Sequence, residues 1–449
     1  MIELSNVITL TDQDRERNLE TVHLNCIGEN PAYSVFQRMC QLKPWMSKMA
    51  PPDKEIILFT DKNKILTCPR GLLGLLDIDS PIIDLTSNVP IVGFTPTYKL
   101  RKDQEEAVDA LLDGRFGILE APTGSGKTLM GLEIANRLKQ RTLFLVHTKS
   151  LLKQTIQEVK TKLGYDPGII GDGKFIVKDF TVGTIQTLLR KDPSTYQDLF
   201  GLVIQDEAHH IPCNSFTKII NSFRAKYVYG LTATPQRTDK LDWVLYSCIG
   251  PKGYVIDRNS LVDKNAIVHP QIITLNTPFI PSKEYQEFDI VAHINALTKD
   301  NIRNAFLIQS VDNVLRQNPD CRPVILTERI AHAEYLAEQF RGYNPVLYHG
   351  SLSKKQAEEA LKEIKLNSRL TISTYASIGE GFDVPLWDTL FITTPFTSPV
   401  RLIQIIGRVC RAAKGKDTAF VYDFVDVNDN VLYKRYLKRK GVYNSYFSK

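Results

Sequence analysis

The stretch LVIQDEAHH, Leu202 to His210, is an apolar run that ends in two carboxylates, Asp206 and Glu207, and then two histidines, His209 and His210. That composition suits a metal cluster or an acid–base pair. Zinc fits poorly. Adjacent helical residues point about 100° apart, and no i, i+4 partner or cysteine pair completes a ligand set. A second segment, APTGSGKT (Ala121–Thr128), narrows the choice. Its glycines, Gly124 and Gly126, with Thr123 and Ser125 before and between them, allow a curled backbone whose N–H groups face phosphate oxygens. Lys127 would neutralise phosphate charge and the Thr128 hydroxyl would ligate Mg²⁺. Ala121 stands where the usual G-x-x-x-x-G-K-[ST] pattern has glycine. Beside such a loop, Asp206 reads as the Mg²⁺ holder and Glu207 as the group that orients an attacking water. A third segment, QIIGRVCR, spaces Gln404, Arg408 and Arg411 at i, i+4 and i+7, one face of a helix. Such a stripe is either a solvated face or a set of arginines that could reach a γ-phosphate.

These residues need elements to hold them. FGILE precedes the loop and a helical period follows it from Lys127, the strand–loop–helix context that phosphate binding requires. Beyond lie TLFLVH, the helical SLLKQTIQEVKTKL, and then FTVGTIQ, GLVIQDE and YVYGLTAT. Continuous apolar runs alternating with helices indicate parallel strands buried on both faces. Asp206 and Glu207 then sit at a strand's C-terminal end, where such sheets place ligands. The grammar restarts near Pro323 with PVILTE, PVLYHG, RLTISTY, TLFITTPF and TAFVYDFV, separated by helical stretches. The expected fold is α/β, two tandem parallel-sheet domains over 96–258 and 259–449, behind a small accessory domain over 1–95. The stretch 236–320, which holds the boundary, does not resolve into elements. The tail YKRYLKRKGVYNSYFSK interleaves bases and aromatics and reads either as a nucleic-acid contact or as a solvated terminal helix.

Composition sets outer limits. The 449 residues are 43% hydrophobic and 24% charged, an ordinary globular balance. No apolar run approaches the roughly 18 residues that span a bilayer, and the N-terminus lacks the pattern of a secretory signal. Seven scattered cysteines without a CxxC fit reduced thiols better than a disulfide framework. These features lead us to expect a cytoplasmic protein. The net charge of +6 is compatible with a polyanionic partner.

The order of the motifs resembles that of superfamily 2 helicases and translocases over about residues 98–427. YKLRKDQ is similar to the Q motif, which implies ATP contacts for Arg101 and an adenine-reading role for Gln104. APTGSGKT resembles motif I, LVHTKSLLKQ motif Ia, DEAH motif II, and TAT (Thr232–Thr234) motif III. VILTER, STYASIGEGFDVP and QIIGRVCR resemble motifs IV, V and VI. The resemblance implies RecA-like domains, ATP and Mg²⁺ as cofactors, and catalytic roles for Lys127, Asp206, Glu207, Gln404, Arg408 and Arg411. It adds Gly381 and Asp383 to the ATP site and makes His209, Thr232 and Thr234 couplers. Thr148, Lys149, Thr184, Thr327 and Thr374 become candidate contacts to a nucleic-acid backbone. The wording of DEAHH and motif V is most like a DNA-directed branch containing type III restriction subunits, XPB-like helicases and phage branch-migration helicases. Within that branch the compact length is closest to the phage branch-migration helicases, a resemblance that implies forked or branched DNA as partner in recombination, repair or replication and is compatible with a phage protein acting in the host cytoplasm. His210 has no assigned role.

Three rival readings stand beside this one. The motif set also describes an RNA helicase of the same superfamily. Pro319-Asp320 with Glu363 and Lys365 spell a nuclease PD…ExK, which would make the chain the motor of a restriction system. A nucleotide-gated DNA-binding module that remodels nothing is the third, although it would not need a hydrolytic set.

Overall fold

The computed structural model describes residues 2–29, 55–210, 214–233, 241–281, 289–378, 384–413 and 415–448. The chain divides into two compact units, Met1–Pro122 with Gly126–Ile256, and Thr123–Ser125 with Asp257–Lys449.

The first unit opens with short strands: β1 (Ile2–Leu4), β2 (Val7–Thr11), β3 (Ile27–Glu29), β4 (Glu55–Ile57), β5 (Thr60–Lys62), β6 (Ile65–Pro69) and β7 (Ile82–Asp84). Five of them form one sheet in the order β5-β6-β2-β1-β7, and β3 pairs with β4. Alternate residues of β1 and β2 face inward, and Ile2, Leu4, Ile8 and Leu10 pack with Val22, Cys26, Leu66 and Cys68 in a small separate core. The alternation is that of a sheet with one covered face.

A larger sheet follows, built from β8 (Phe116–Glu120), β9 (Thr142–Val146), β10 (Gly168–Gly171), β11 (Lys174–Ile176), β12 (Phe180–Thr184), β13 (Leu202–Gln205), β14 (Tyr227–Thr232) and β15 (Lys252–Val255). Its order is β11-β10-β12-β9-β13-β14-β8-β15, parallel except for the β10–β11 hairpin at its edge. Every residue of β9, β12 and β13 is buried, as apolar runs covered on both faces require. This is the parallel α/β sheet expected from the sequence.

The second unit has its own parallel sheet of β16 (His269–Asn276), β17 (Pro323–Thr327), β18 (Val346–Tyr348), β19 (Thr371–Thr374), β20 (Thr389–Ile392) and β21 (Thr418–Val425), ordered β16-β21-β20-β17-β19-β18. β16 and the helices Ile290–Lys299 and Asn301–Gln317 lie in the stretch that had no readable pattern. β16 is an edge strand with mixed exposure, so its sequence HPQIITLN carries no long apolar run.

The tail is a terminal helix, as one of the two expectations had it, but it is solvated only in part. It forms the helix Asn430–Val442 and a further turn, Tyr443–Phe447. Arg439 is buried and donates to both oxygens of Asp423 at 2.8 and 2.7 Å, and the Tyr443 hydroxyl donates to the same carboxylate at 2.7 Å. Tyr443 and Phe447 belong to the core. Part of what reads as a basic and aromatic surface is therefore internal ion pairing and packing. The five described cysteines are buried free thiols, and no helix among the described residues is long and apolar enough to cross a membrane.

Candidate nucleotide site

Sheet order brings the first two motifs together. β14 lies between β8, which leads into the glycine loop, and β13, which leads into the acids. Thr232, at the end of β14, joins them. Its carbonyl accepts the Ala121 N–H at 2.9 Å, and its hydroxyl lies 3.2 Å from His209 Nδ1. Ala121 is buried at this junction and does not adopt a positive φ, so its backbone conformation does not call for the usual glycine. The loop then turns through left-handed conformations at Gly124 (φ 90°) and Gly126 (φ 89°) before the helix Lys127–Leu138 begins. Gly126 is required twice over. Its φ disfavours a side chain, and a Cβ there would lie 2.5 Å from Gln104 Nε2.

Gln104 is almost fully buried, and its Oε1 accepts the Arg101 N–H at 3.0 Å, closing the start of the helix Lys102–Leu112. Arg101 itself forks onto Asp103 at 3.1 and 3.0 Å. The amide end of Gln104 thus stands against the loop while its carbonyl end caps a helix.

Lys127 Nζ donates to the Ala121 carbonyl at 3.0 Å, across the base of the loop. Asp206 is buried at the end of β13 and accepts the Glu207 N–H at 3.0 Å. Burial, and after it the charge of Glu207, push the Asp206 carboxyl up to about 7, while Lys127 pulls it down. Glu207 adopts φ 47°, a left-handed conformation that is costly for a residue with a side chain. Its Oε2 lies 3.4 Å from His209 Nδ1. The Thr128 hydroxyl and the Asp206 carboxylate are hard oxygen donors of the kind Mg²⁺ takes, and a divalent cation would supply the charge that Asp206 lacks in its buried position.

In the second unit, Gln404 and Arg408 lie on the helix Pro399–Val409, with Arg408 buried. Arg411 does not extend that face. The helix stops at Val409, Cys410 caps it, and Arg411 pairs with Ile267 in an isolated antiparallel bridge. The i+7 spacing therefore reaches past the last helical residue. Gly381, Asp383 and Thr234 lie outside the described residues, as does the side chain of His210.

The candidate backbone contacts sit in unequal settings. Thr148 caps the helix Lys149–Leu163 by accepting the Leu151 N–H at 3.2 Å. Lys149 is exposed and reaches Asp172 at 3.2 Å. Thr184 and Thr374 end their strands with hydroxyls paired to Thr187 (2.9 Å) and Ser377 (2.8 Å). Thr327 is fully buried, and its hydroxyl lies 2.7 Å from His332 Nδ1, which turns it inward rather than toward a phosphate. The nuclease letters are separated: Pro319 and Asp320 follow the helix Asn301–Gln317, whereas Glu363 and Lys365 are exposed on the helix Lys354–Leu366. The buried polar groups behind these strand ends, Arg303, Asp426, His332 and Asn304, belong to no motif, so no sequence signal marks them.

Two family models match the chain in this arrangement: the type III restriction enzyme, res subunit, over residues 97–237, and the helicase conserved C-terminal domain over residues 306–413. The chain belongs to the superfamily 2 helicases. Among relatives of this helicase, a protein of Acanthamoeba polyphaga mimivirus assigned as an ATP-dependent RNA helicase, L396, is 26% identical over 418 residues, covering 87% of this chain and 76% of its own. The DNA 3'-5' translocase XPB2 of Sulfurisphaera tokodaii is 34% identical over 179 residues, 40% of each chain. The crystal structure of the Pyrococcus furiosus Hef helicase domain superposes with a TM-score of 0.52 at 16% identity, covering 76% of this chain and 98% of that one. That likeness extends to the fold, two RecA-like parallel-sheet domains.

Proposed function

We propose that this helicase couples ATP hydrolysis to movement on DNA and remodels forked or branched duplexes. The observation that carries the reading is Thr232, which ties the loop at Ala121 and the acid motif at His209 to one strand end. Any shift of Lys127, Asp206 and Glu207 during turnover is thereby felt in β14. Lys127 leaves the loop carbonyls to meet phosphate oxygens. Thr128 and Asp206 would hold Mg²⁺, which would supply charge neutralisation at the phosphates. Glu207 orients the attacking water, and Arg408 and Arg411 stabilise the charge of the transition state. Thr148, Lys149, Thr184 and Thr374 grip a strand through its backbone, a sequence-independent hold that suits a translocase.

DNA is favoured by the XPB2 relative and by the restriction-type family model over the first motor. RNA is the second reading, because L396, matched over most of this chain, is assigned to RNA. One panel separates them: ATPase and strand separation measured on a fork, a four-way junction, a blunt duplex, single-stranded DNA and an RNA duplex. Branched DNA is expected to stimulate turnover most. Better unwinding of RNA than of forks would sink the DNA assignment, and equal rates on blunt and branched DNA would sink the branched-substrate assignment.

A further inference from the structure

The N-terminal sheet grips the first motor through one residue that no motif marks. Arg70 follows β6 and is fully buried. Its guanidinium donates to the carbonyls of Asn6 (3.2 Å), Ala225 (2.9 Å) and Phe223, and it lies 5.6 Å from the centre of the Phe116 ring. These hydrogen-bond partners are backbone carbonyls and include no carboxylate. A guanidinium buried in this way is expensive, so stability alone is a poor reason for it.

The contacts fall at particular places. Phe116 is the first residue of β8, and Phe223 and Ala225 lead into β14. β8 and β14 are paired neighbours, in register from Val228 opposite Phe116 to Thr232 opposite Glu120. Arg70 therefore holds the near ends of the two strands whose far ends carry Ala121 and Thr232. The N-terminal region also takes hold on both sides of the TAT segment. Asn6 Nδ2 donates to the Asn221 carbonyl at 2.8 Å, and Ser247 Oγ donates to the Asn25 carbonyl at 2.9 Å. Gly71 lies so close to the carbonyls of Tyr246 and Ser247 that no side chain could stand there. Both flanks of the TAT segment, Asn221–Lys226 before it and Tyr246–Gly250 after it, are thus fastened to the N-terminal sheet, its helix Asp12–Cys26 and the turn that follows β6.

We propose that Arg70 is a positioning residue through which the N-terminal sheet sets the β8–β14 strand pair and hence the Ala121–Thr232–His209 junction. The sheet is an input to the ATPase, so that load or ligand on it changes how strongly nucleic acid stimulates turnover. This rests on the function proposed above. Fully hydrogen-bonded strands transmit displacement with little slack, which gives the coupling a physical path.

The test compares the full-length chain with Arg70→Met and Arg70→Lys. Steady-state ATP turnover is measured without nucleic acid and with saturating forked DNA or RNA duplex, alongside thermal melting. Arg70→Met is expected to keep its unstimulated kcat and its KM for ATP within about twofold, while the stimulation factor falls roughly fivefold or more. Arg70→Lys, which retains charge but not the fork of donors, is expected to lie between. Full stimulation in a folded Arg70→Met protein would overturn the lever, and so would equal loss of unstimulated and stimulated kcat, which a purely structural role would produce. If Arg70→Met does not fold, Asn6→Ala is judged by the same criteria with a drop of about twofold. Wild type unresponsive to every nucleic acid would overturn the functional reading and this inference with it. A responsive wild type beside a fully responsive variant would overturn the lever alone.

Discussion

Asp206, just past the end of β13 in the first unit, and Asp423, within β21 in the second, are both buried carboxylates of parallel sheets, yet their surroundings are opposite. Asp423 receives two guanidinium donors from Arg439 and the Tyr443 hydroxyl, so its charge is met at hydrogen-bond distance. Asp206 receives the N–H of its neighbour and feels Lys127 only through space, beside a second acid whose charge pushes its proton affinity up. Arg303 and Asp426, with both side chains fully buried, repeat the first pattern. A buried charge that is fully matched serves architecture. One held against its own preference, next to a strained Glu207, marks a candidate for chemistry.

The largest effect that could break this contrast is on turnover. Glu207→Gln is expected to lower kcat roughly 10²- to 10⁴-fold and Lys127→Ala to abolish stimulated hydrolysis, both with unchanged melting of the protein. Full turnover in either variant would remove the chemical half of the comparison. Arg439→Met should do the reverse. It strands Asp423 without its partner and should cost about 3–5 kcal/mol of stability in the second unit, read by urea unfolding; a loss under about 1 kcal/mol would show the pair to be dispensable.

A smaller effect concerns His332, which lies between Thr327 and Asn304. Burial, then the charge of Arg303, hold it down to about 3. Its folded proton affinity is thus depressed below the ordinary value near 6.5, so only the unfolded chain takes up the proton in that window. The resulting stability is present above about pH 7 and is lost as pH falls through 6.5 toward 3, by about 2 kcal/mol at pH 5. His332→Gln should flatten that slope; an unchanged slope would show that the loss comes from other groups. The smallest expected change is Thr148→Ala. Loss of the cap should cost about 1 kcal/mol, and nucleic-acid affinity measured on the same protein separates that structural role from a backbone contact.

The strands that carry the motifs were legible because they are fully covered: TLFLV and LVIQ have no polar face to interrupt the run. The same logic explains where reading failed. β16 is an edge strand with exposed positions, so HPQIITLN shows neither a steady alternation nor an unbroken apolar run. Arg411 is placed on a helical face by spacing alone, but spacing does not reveal that the helix is capped at Cys410.

Residue order by itself determined the glycine loop, the acid motif and the parallel strands that present them, because each depends on neighbours within a few residues. Only the tertiary structure decided that Gln104 spends its carbonyl on a helix cap, that Arg439 is internal, and that Arg70 reaches Phe223 and Ala225 more than 150 positions away. Such pairings leave no local pattern. They arise because a buried donor must find an acceptor wherever the packed chain supplies one.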